Sequence, residues 1–432
     1  MGVAPAGPQG GALSSRDQVA MPTILLAGTL DTKGAEYAYV RDRLRARGLA
    51  VLVMDLGVLG EPAFPADIPA ADVARAGGGD LAALRAAGDR GPATDAMRRG
   101  ACALVPGLQA EGRIDGILGL GGGGGTAMIT AAMRLLPVGV PKVMVTTMAS
   151  GDTAPYVDVS DLVLMPSVVD IAGLNPISRR ILANAAGAIA GMVGASSAAA
   201  ADDAPARPLI AATMFGVTTP CVTAARQQLE AAGYDVLVFH ATGTGGRAME
   251  RLVDSGYIAG VLDVTTTEWC DEVVGGVLTA GPDRHGAAAR AGVPQVVSVG
   301  ALDMVNFGAM DTVPARFADR TFYTHTPAVT LMRTTADECR EIGRRIAAQL
   351  ARATAPVTLV LPRRGVSMLD APDKPFHDPD ADRVLFASLR AGVGPRVHVV
   401  EVDAHINDPA FADVLVRELL AVLTPAAGAT RP

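Results

Sequence analysis

Two stretches of this 432-residue chain combine residue types suited to phosphate. The first, "GTLDTKG" (28–34), follows an apolar run and offers the hydroxyls of Thr29 and Thr32, the carboxylate of Asp31 and the ammonium of Lys33. The hydroxyls can donate to phosphate oxygens, Lys33 can neutralise one, and Asp31 can orient a divalent metal or a cationic partner. The second, "GLGGGGGTAM", passes through Gly121, Gly122, Gly123, Gly124 and Gly125 into a helical pattern expected to start at Thr126, which is itself a candidate to face the ligand. Glycines admit an anion to the backbone N–H groups, and a helix N-terminus adds its positive dipole end. A third polar loop, "TTMASGDTAPY", supplies Thr147, Ser150, Gly151 and a second candidate metal ligand, Asp152. The plainer reading of the first stretch is helix capping by Asp31 or Thr32 with Lys33 in solvent. A run of five glycines is harder to explain as a tight turn, because each costs chain entropy on folding.

The glycine run is not a dinucleotide fingerprint of any weight. It matches G-x-G-x-x-G at Gly119, Gly121 and Gly124 only because polyglycine always does, and no acidic residue closes the next strand, "PKVMVTT". No Gly-Lys-Ser/Thr follows either, so the Walker A pattern is absent.

A second constellation lies near the C-terminus. "RTFYTHTPAVTLMRTT" carries Arg320, His325 and Arg333, "FHDPDADR" carries His377 with three aspartates, and "DAHIND" carries His405 and Asp408. An imidazole beside a carboxylate suits acid/base work, and a guanidinium can clamp a carboxylate or phosphate. Taken singly, each of these residues is as readily a helix cap or a structural hydrogen-bonder. No His-x-x-x-His or similar spacing supports a histidine metal site.

The elements that must position these residues read as alternating strands and helices. "TILLAG" is a strand, Tyr37, Val40 and Leu44 share a helix face, and "LAVLVMDLG" is a strand ending at Asp55. "DGILGLGGGGG", "TAMITAAMRLLP" and "PKVMVTT" repeat the pattern. After the helix "SRRILANAAGAIAGMVG" comes an Ala-rich stretch, and beyond Pro208 the pattern restarts. The expected architecture is α/β: two Rossmann-like domains with mainly parallel sheets and a ligand cleft between them. The expected boundaries are a tail at 1–21, domains at 22–195 and 209–423, a linker at 196–208 and a tail at 424–432. The stretch 185–201 reads as a packed helix rather than a membrane span, since Ala, Gly and Ser carry little transfer energy.

Together "GTLDTKGAEY", "GLGGGGGTAM", "MASGDTAPYVDVSD" and "VVDIAGLNPISRRIL" resemble the ATP-binding family that includes the N-terminal domain of the tomato mosaic virus resistance protein. The resemblance continues through "GALDMVNFGAMDTVP" and "DAHINDPAFA", covering roughly residues 22 to 423. It implies a homodimer that binds ATP with divalent metal (Mg2+). The expected function is an ATP-dependent enzyme acting on a small anionic metabolite. The alternative is a non-catalytic nucleotide-binding module that controls assembly or partner binding.

Composition narrows the partners. With 37 basic and 44 acidic residues the net charge is −7, which recommends neither nucleic acid nor an anionic membrane. Cys102, Cys221, Cys270 and Cys339 show neither metal spacing nor a C-x-x-C pair, and a reducing cytoplasm is the expected location.

Overall fold

The computed structural model describes residues 21–199 and 207–423. They form two compact units, the first ending in a helix at Ala199 and the second opening with a strand at Leu209. The tails expected at 1–21 and 424–432 lie outside the described residues apart from Met21, as does the middle of the expected linker. The helix expected to stop at Gly194 runs on to Ala199. Alanine and serine follow Gly194 with no proline to break the turn, and alanine has the highest helix propensity.

The first unit contains β1 (Thr23–Gly28), α1 (Leu30–Arg45), β2 (Ala50–Asp55), α2 (Ala70–Ala76), α3 (Leu81–Ala87), α4 (Arg90–Ala110), β3 (Gly116–Gly121), α5 (Gly123–Met133), β4 (Lys142–Thr146), α6 (Ala154–Val157), β5 (Val163–Pro166) and α7 (Pro176–Ala199). Its strands pair in parallel in the order β2-β1-β3-β4-β5. Both faces of the sheet are covered, which is why β1 reads as an unbroken apolar run. Leu25 and Ala27 pack with Met54, Ile117 and Met144 on one face, while Ile24 and Leu26 pack with Val53, Leu118 and Val143 on the other. Helix α1 buries Tyr37, Val40 and Leu44 on that second face. Helix α7 buries Ala185, Ala186, Ile189 and Val193 there, so its small residues serve packing on the sheet. Among the described residues no helix is long and apolar enough to cross a membrane.

The second unit contains β6 (Leu209–Met214), α8 (Thr219–Ala231), β7 (Asp235–His240), α9 (Thr244–Asp254), β8 (Ile258–Thr265), α10 (Glu268–Val274), α11 (Gly286–Ala291), β9 (Gln295–Gly300), β10 (Met304–Phe307), β11 (Phe322–Thr326), β12 (Val329–Arg333), α12 (Ala336–Leu350), β13 (Val357–Pro362), α13 (Pro379–Gly392), β14 (Val397–Val402) and α14 (Pro409–Leu423). Its parallel sheet runs β14-β13-β9-β8-β6-β7. Counted from its own first strand, this is the first unit's order with one strand added, as a duplicated module requires. A three-stranded antiparallel sheet, β10-β12-β11, is inserted before α12. The stretch "RTFYTHTPAVTLMRTT" therefore supplies the β11–β12 hairpin, with Phe322 opposite Met332 and Tyr323 opposite Leu331.

Candidate functional site

In the first unit the strand order reverses between β1 and β3, and ligands of open α/β sheets bind beyond the strand ends at such a reversal. The opening loop follows β1 and the glycine run follows β3, so topology alone sets them side by side. A buried phenol ties the two strand ends together. The Tyr37 hydroxyl lies 2.8 Å from Ala27 O and 2.7 Å from Leu120 O, and accepts the Leu120 N–H at 2.9 Å. Its single proton serves one carbonyl at a time. Burial raises the phenol far above its ordinary value, so it remains protonated. At the end of β2, buried Asp55 accepts the N–H groups of Leu30 (3.0 Å) and Gly57 (2.8 Å), fixing the start of α1 against the next loop.

The two loops enclose a pocket of about 290 Å³. Thr29, Asp31, Thr32 and Lys33 line it with Gly122, Gly123, Gly124 and Gly125. Thr29 precedes α1, and its Oγ accepts the Thr32 hydroxyl at 2.9 Å. The Lys33 ammonium donates to Ile171 O, and the backbone of Lys33 departs from helical geometry at φ −130°. Asp31 Oδ2 accepts the N–H groups of Leu59 (2.7 Å) and Gly60 (3.2 Å). Asp31 Oδ1 is buried and has no donor. An orphaned carboxylate oxygen can accept a cation, and Asp31 is the one carboxylate in the pocket lining. Two further lining residues, Arg90 and Thr94, come from the start of α4 and were not foreseen. Arg90 is exposed, and its side chain makes no hydrogen bond or ion pair among the described residues. Nothing near Arg90 in sequence announces it, because α4 reaches the pocket only through the fold.

The glycines sort into two groups. A Cβ at Gly119 would come within 2.6 Å of Ile129, and one at Gly121 within 3.0 Å of Gly125 Cα, so close packing of strand and helix demands these two. Gly122, Gly123, Gly124 and Gly125 have room, since the nearest atoms to a built Cβ lie at 3.7 to 3.9 Å. None of the four has a positive φ. The helix begins at Gly123 rather than at the expected Thr126, so three of these glycines form its first turn. The first helical bond is Thr126 N–H to Gly122 O at 2.8 Å, leaving the N–H groups of Gly123, Gly124 and Gly125 without a helical acceptor. Thr126 itself, expected to face a ligand, is fully buried. Its hydroxyl donates to Gly122 O (2.8 Å) and meets Thr146 Oγ at 2.6 Å, which fastens the loop to β4.

The third polar loop divides. Thr147 and Ser150 line a separate pocket of about 450 Å³ with Ser167 and Asp170, and Thr147 Oγ lies 3.7 Å from the Cβ position of Gly122. Gly151 and Asp152 are exposed, and Asp152 Oδ1 accepts the Ala154 N–H at 3.1 Å, so the second candidate metal ligand caps the short α6. Among the described residues no three His, Cys, Asp or Glu side chains gather as a metal site.

In the second unit the equivalent end of β8 carries Thr265, with Thr266 and Thr267 following it, all fully buried. Thr265 Oγ meets Thr218 Oγ at 2.7 Å, Thr266 donates to Ser298 O and Thr267 to Met304 O, so hydroxyls fill the space that glycines leave open in the first unit. The N-terminus of α9 is occupied internally, its Gly243 and Gly246 N–H groups donating to Glu268 at 2.7 and 3.0 Å. Glu268 also holds Arg284 (2.7 Å), whose guanidinium forks onto Asp263 at 2.6 and 2.8 Å. Burial alone would raise Asp263, but Arg284 and His285 outweigh it and hold the carboxyl well below its ordinary range.

Several C-terminal candidates are tied into the protein itself. Arg320 forks onto Glu338 at 2.9 and 2.7 Å and donates to Arg333 O. Arg333 is buried and bonds Phe376 O, Thr334 Oγ and Asp382, each at 2.8 Å. His405 Nδ1 accepts the Asn407 N–H at 3.1 Å, which fixes its proton on Nε2, 2.9 Å from Ser367 O. Asp408 accepts the His405 N–H at 2.8 Å ahead of α14. His325 is exposed on the outer strand β11, apart from this group. His377 is half-buried and lines a cavity, its Nδ1 3.7 Å from Asp370. The structure thus gathers Arg333, His377 and His405 around the loop 365–378, with Arg320 behind Arg333.

Comparison with known proteins agrees with the two-unit division. Residues 22–198 match the N-terminal domain, and 207–423 the C-terminal domain, of the uncharacterised protein family UPF0261. A UPF0261 protein of Clostridium tetani is 50% identical over 398 residues, covering 92% of this chain and 98% of that one. A UPF0261 protein of Mesorhizobium japonicum is 51% identical over 394 residues, covering 91% and 97%. The ToMV susceptible protein tm-1(GCR26) of Solanum lycopersicum is 41% identical over 418 residues, covering 92% of this chain and 55% of the tomato protein. The chain belongs to the uncharacterised protein family UPF0261.

Proposed function

We propose that the chain binds ATP in the glycine-loop pocket, with Mg2+ held by Asp31 and the phosphates, and uses it in acting on a small anionic metabolite. One observation carries the nucleotide reading: neither packing nor conformation requires glycine at positions 122 to 125. Glycine costs a helix about 1 kcal/mol relative to alanine, so three in one first turn need another cause. Close approach of an anion to free N–H groups supplies it. Lys33 and Arg90 add positive charge on the pocket wall, and the undonated Asp31 Oδ1 suits a bridging cation. Titration calorimetry with ATP, with and without magnesium, tests the reading.

A second reading, a nucleotide-binding module without turnover, is favoured by the way Arg320, Arg333, His405 and Asp408 are satisfied within the protein. Release of ADP or AMP in the presence of metabolite pools decides for the enzyme. The dimer and the cytoplasmic location belong to the same proposal, tested by sedimentation and by fractionation.

A further inference from the structure

A cavity of about 540 Å³ lies in the second unit, where β13 and β14 end and α13 begins. Four arginines line it: Arg363 and Arg364 after β13, and Arg383 and Arg390 on α13. Their carboxylate partners are too few. Arg364 takes both oxygens of Asp403 at 3.0 and 2.7 Å, and Arg390 takes Glu401 at 2.6 Å. Arg383 pairs with exposed Asp380, outside the lining. Arg363 is left with a 3.6 Å approach to the same Asp403 that Arg364 already occupies. The remaining lining acid, Asp382, turns away to Arg333. Pro379 and Phe386 give the cavity an apolar wall.

We propose that this cavity is a binding site for a small organic anion, whose carboxylate or phosphate group is taken by Arg363 while its carbon skeleton lies against Phe386 and Pro379. A guanidinium with an unfilled fork recognises either oxyanion in two parallel hydrogen bonds. The charged cluster behind the lining residue Asp382 does not oppose this. One guanidinium, Arg333, faces Asp303, Asp370 and Asp382, and burial together with the charge of Asp370 raises both Asp303 and Asp382 above the ordinary carboxylate range. The cluster therefore holds protons near neutral pH and repels an anion less than its composition suggests. His377 stands at the rim with its Nδ1 toward Asp370. The proposal is independent of the nucleotide reading, because it concerns other residues and needs no ATP.

The test titrates succinate and glycerol 3-phosphate into the full chain at low salt, following binding by calorimetry. The Gly123→Val background removes any contribution from the glycine loop. Binding of at least one probe is expected to persist in that background and to weaken tenfold or more in Arg363→Ala, with an unchanged melting temperature because the Arg363 side chain is 52% exposed. Succinate alone would assign a carboxylate site, glycerol 3-phosphate alone a phosphate site, and both a general oxyanion site. Phe386→Ala is expected to weaken the same probe. The proposal is overturned if neither probe binds at about 10 mM, or if binding survives Arg363→Ala undiminished.

Discussion

The Tyr37 hydroxyl fills the space that a side chain at Gly28 would need: a Cβ built on Gly28 falls 1.6 Å from Tyr37 Oη. That oxygen bonds the ends of both β1 and β3, so a glycine in one strand permits the brace that sets two ligand loops side by side. Gly28→Ala is expected to displace the phenol, lower the melting temperature and weaken nucleotide binding together. Tyr37→Phe removes the hydrogen bonds and leaves buried backbone groups unpaired, for a loss of about 1 to 3 kcal/mol with the fold retained. Urea unfolding of both variants checks this. A Gly28→Ala protein as stable as wild type would contradict the brace.

Arg90 separates the functional from the structural role of the pocket wall. It is exposed and without a partner among the described residues, so Arg90→Ala should leave the melting temperature of the free protein unchanged. Nucleotide affinity should fall by roughly tenfold, the worth of one charge-assisted hydrogen bond to phosphate (~1.4 kcal/mol). Calorimetry on the variant at fixed ionic strength gives the answer, and equal affinity would remove Arg90 from the site.

Arg333 and His405 are expected to behave as structural residues toward ATP. Arg333→Ala leaves the buried acceptors Phe376 O, Thr334 Oγ and Asp382 without their donor, at about 1 to 3 kcal/mol for each group left unpaired. His405→Ala removes two backbone partners and costs less. In both variants the folded fraction should bind nucleotide as wild type does, because the glycine loop belongs to the other unit. A loss of affinity without a loss of stability would reverse the assignment.

Asp303 makes stability depend on pH in a definite direction. Burial first, and the charge of Asp370 second, push its carboxyl from 3.8 to about 7. Between those values the folded protein holds a proton that the unfolded chain has released, so stability falls as pH rises through the window. The contribution is fully present below the unfolded value. Asp303→Asn removes this titration, and its stability should decline less than that of wild type between about pH 4 and pH 7. Chemical unfolding across that range, wild type beside variant, measures the difference; parallel curves would place the titration elsewhere.

The sequence shows much of this arrangement. Strand ends at Gly28, Asp55 and Gly121 are legible from apolar runs closing on polar residues, and the restart at Pro208 marks the second unit. The helix start was misplaced by three residues because glycine is a poor helix former, so Gly123 to Gly125 read as loop. Arg90 and Thr94 could not be read, since their approach depends on where α4 packs. The hairpin of β11 and β12 lies inside a stretch whose Arg and His residues are its stronger signal. The closed Arg284 cluster carries no local signal, because Asp263, Glu268 and Arg284 come from separate elements. His405 shows why residue type alone misleads: a histidine next to acidic residues turned out to bond backbone atoms with both ring nitrogens.

The most direct test of the central claim is thermal unfolding with saturating ATP and magnesium, for wild type and for Gly123→Val. A Cβ at position 123 meets nothing closer than 3.8 Å, so the variant should fold with a nearly unchanged melting temperature in the absence of ligand. Wild type should be stabilised by about 2.7 kcal/mol at a hundredfold excess over Kd, in a magnesium-dependent way. The variant should show no such shift, because the branched side chain blocks the backbone N–H groups. Identical melting curves of wild type with and without nucleotide, or an undiminished shift in Gly123→Val, would contradict the account.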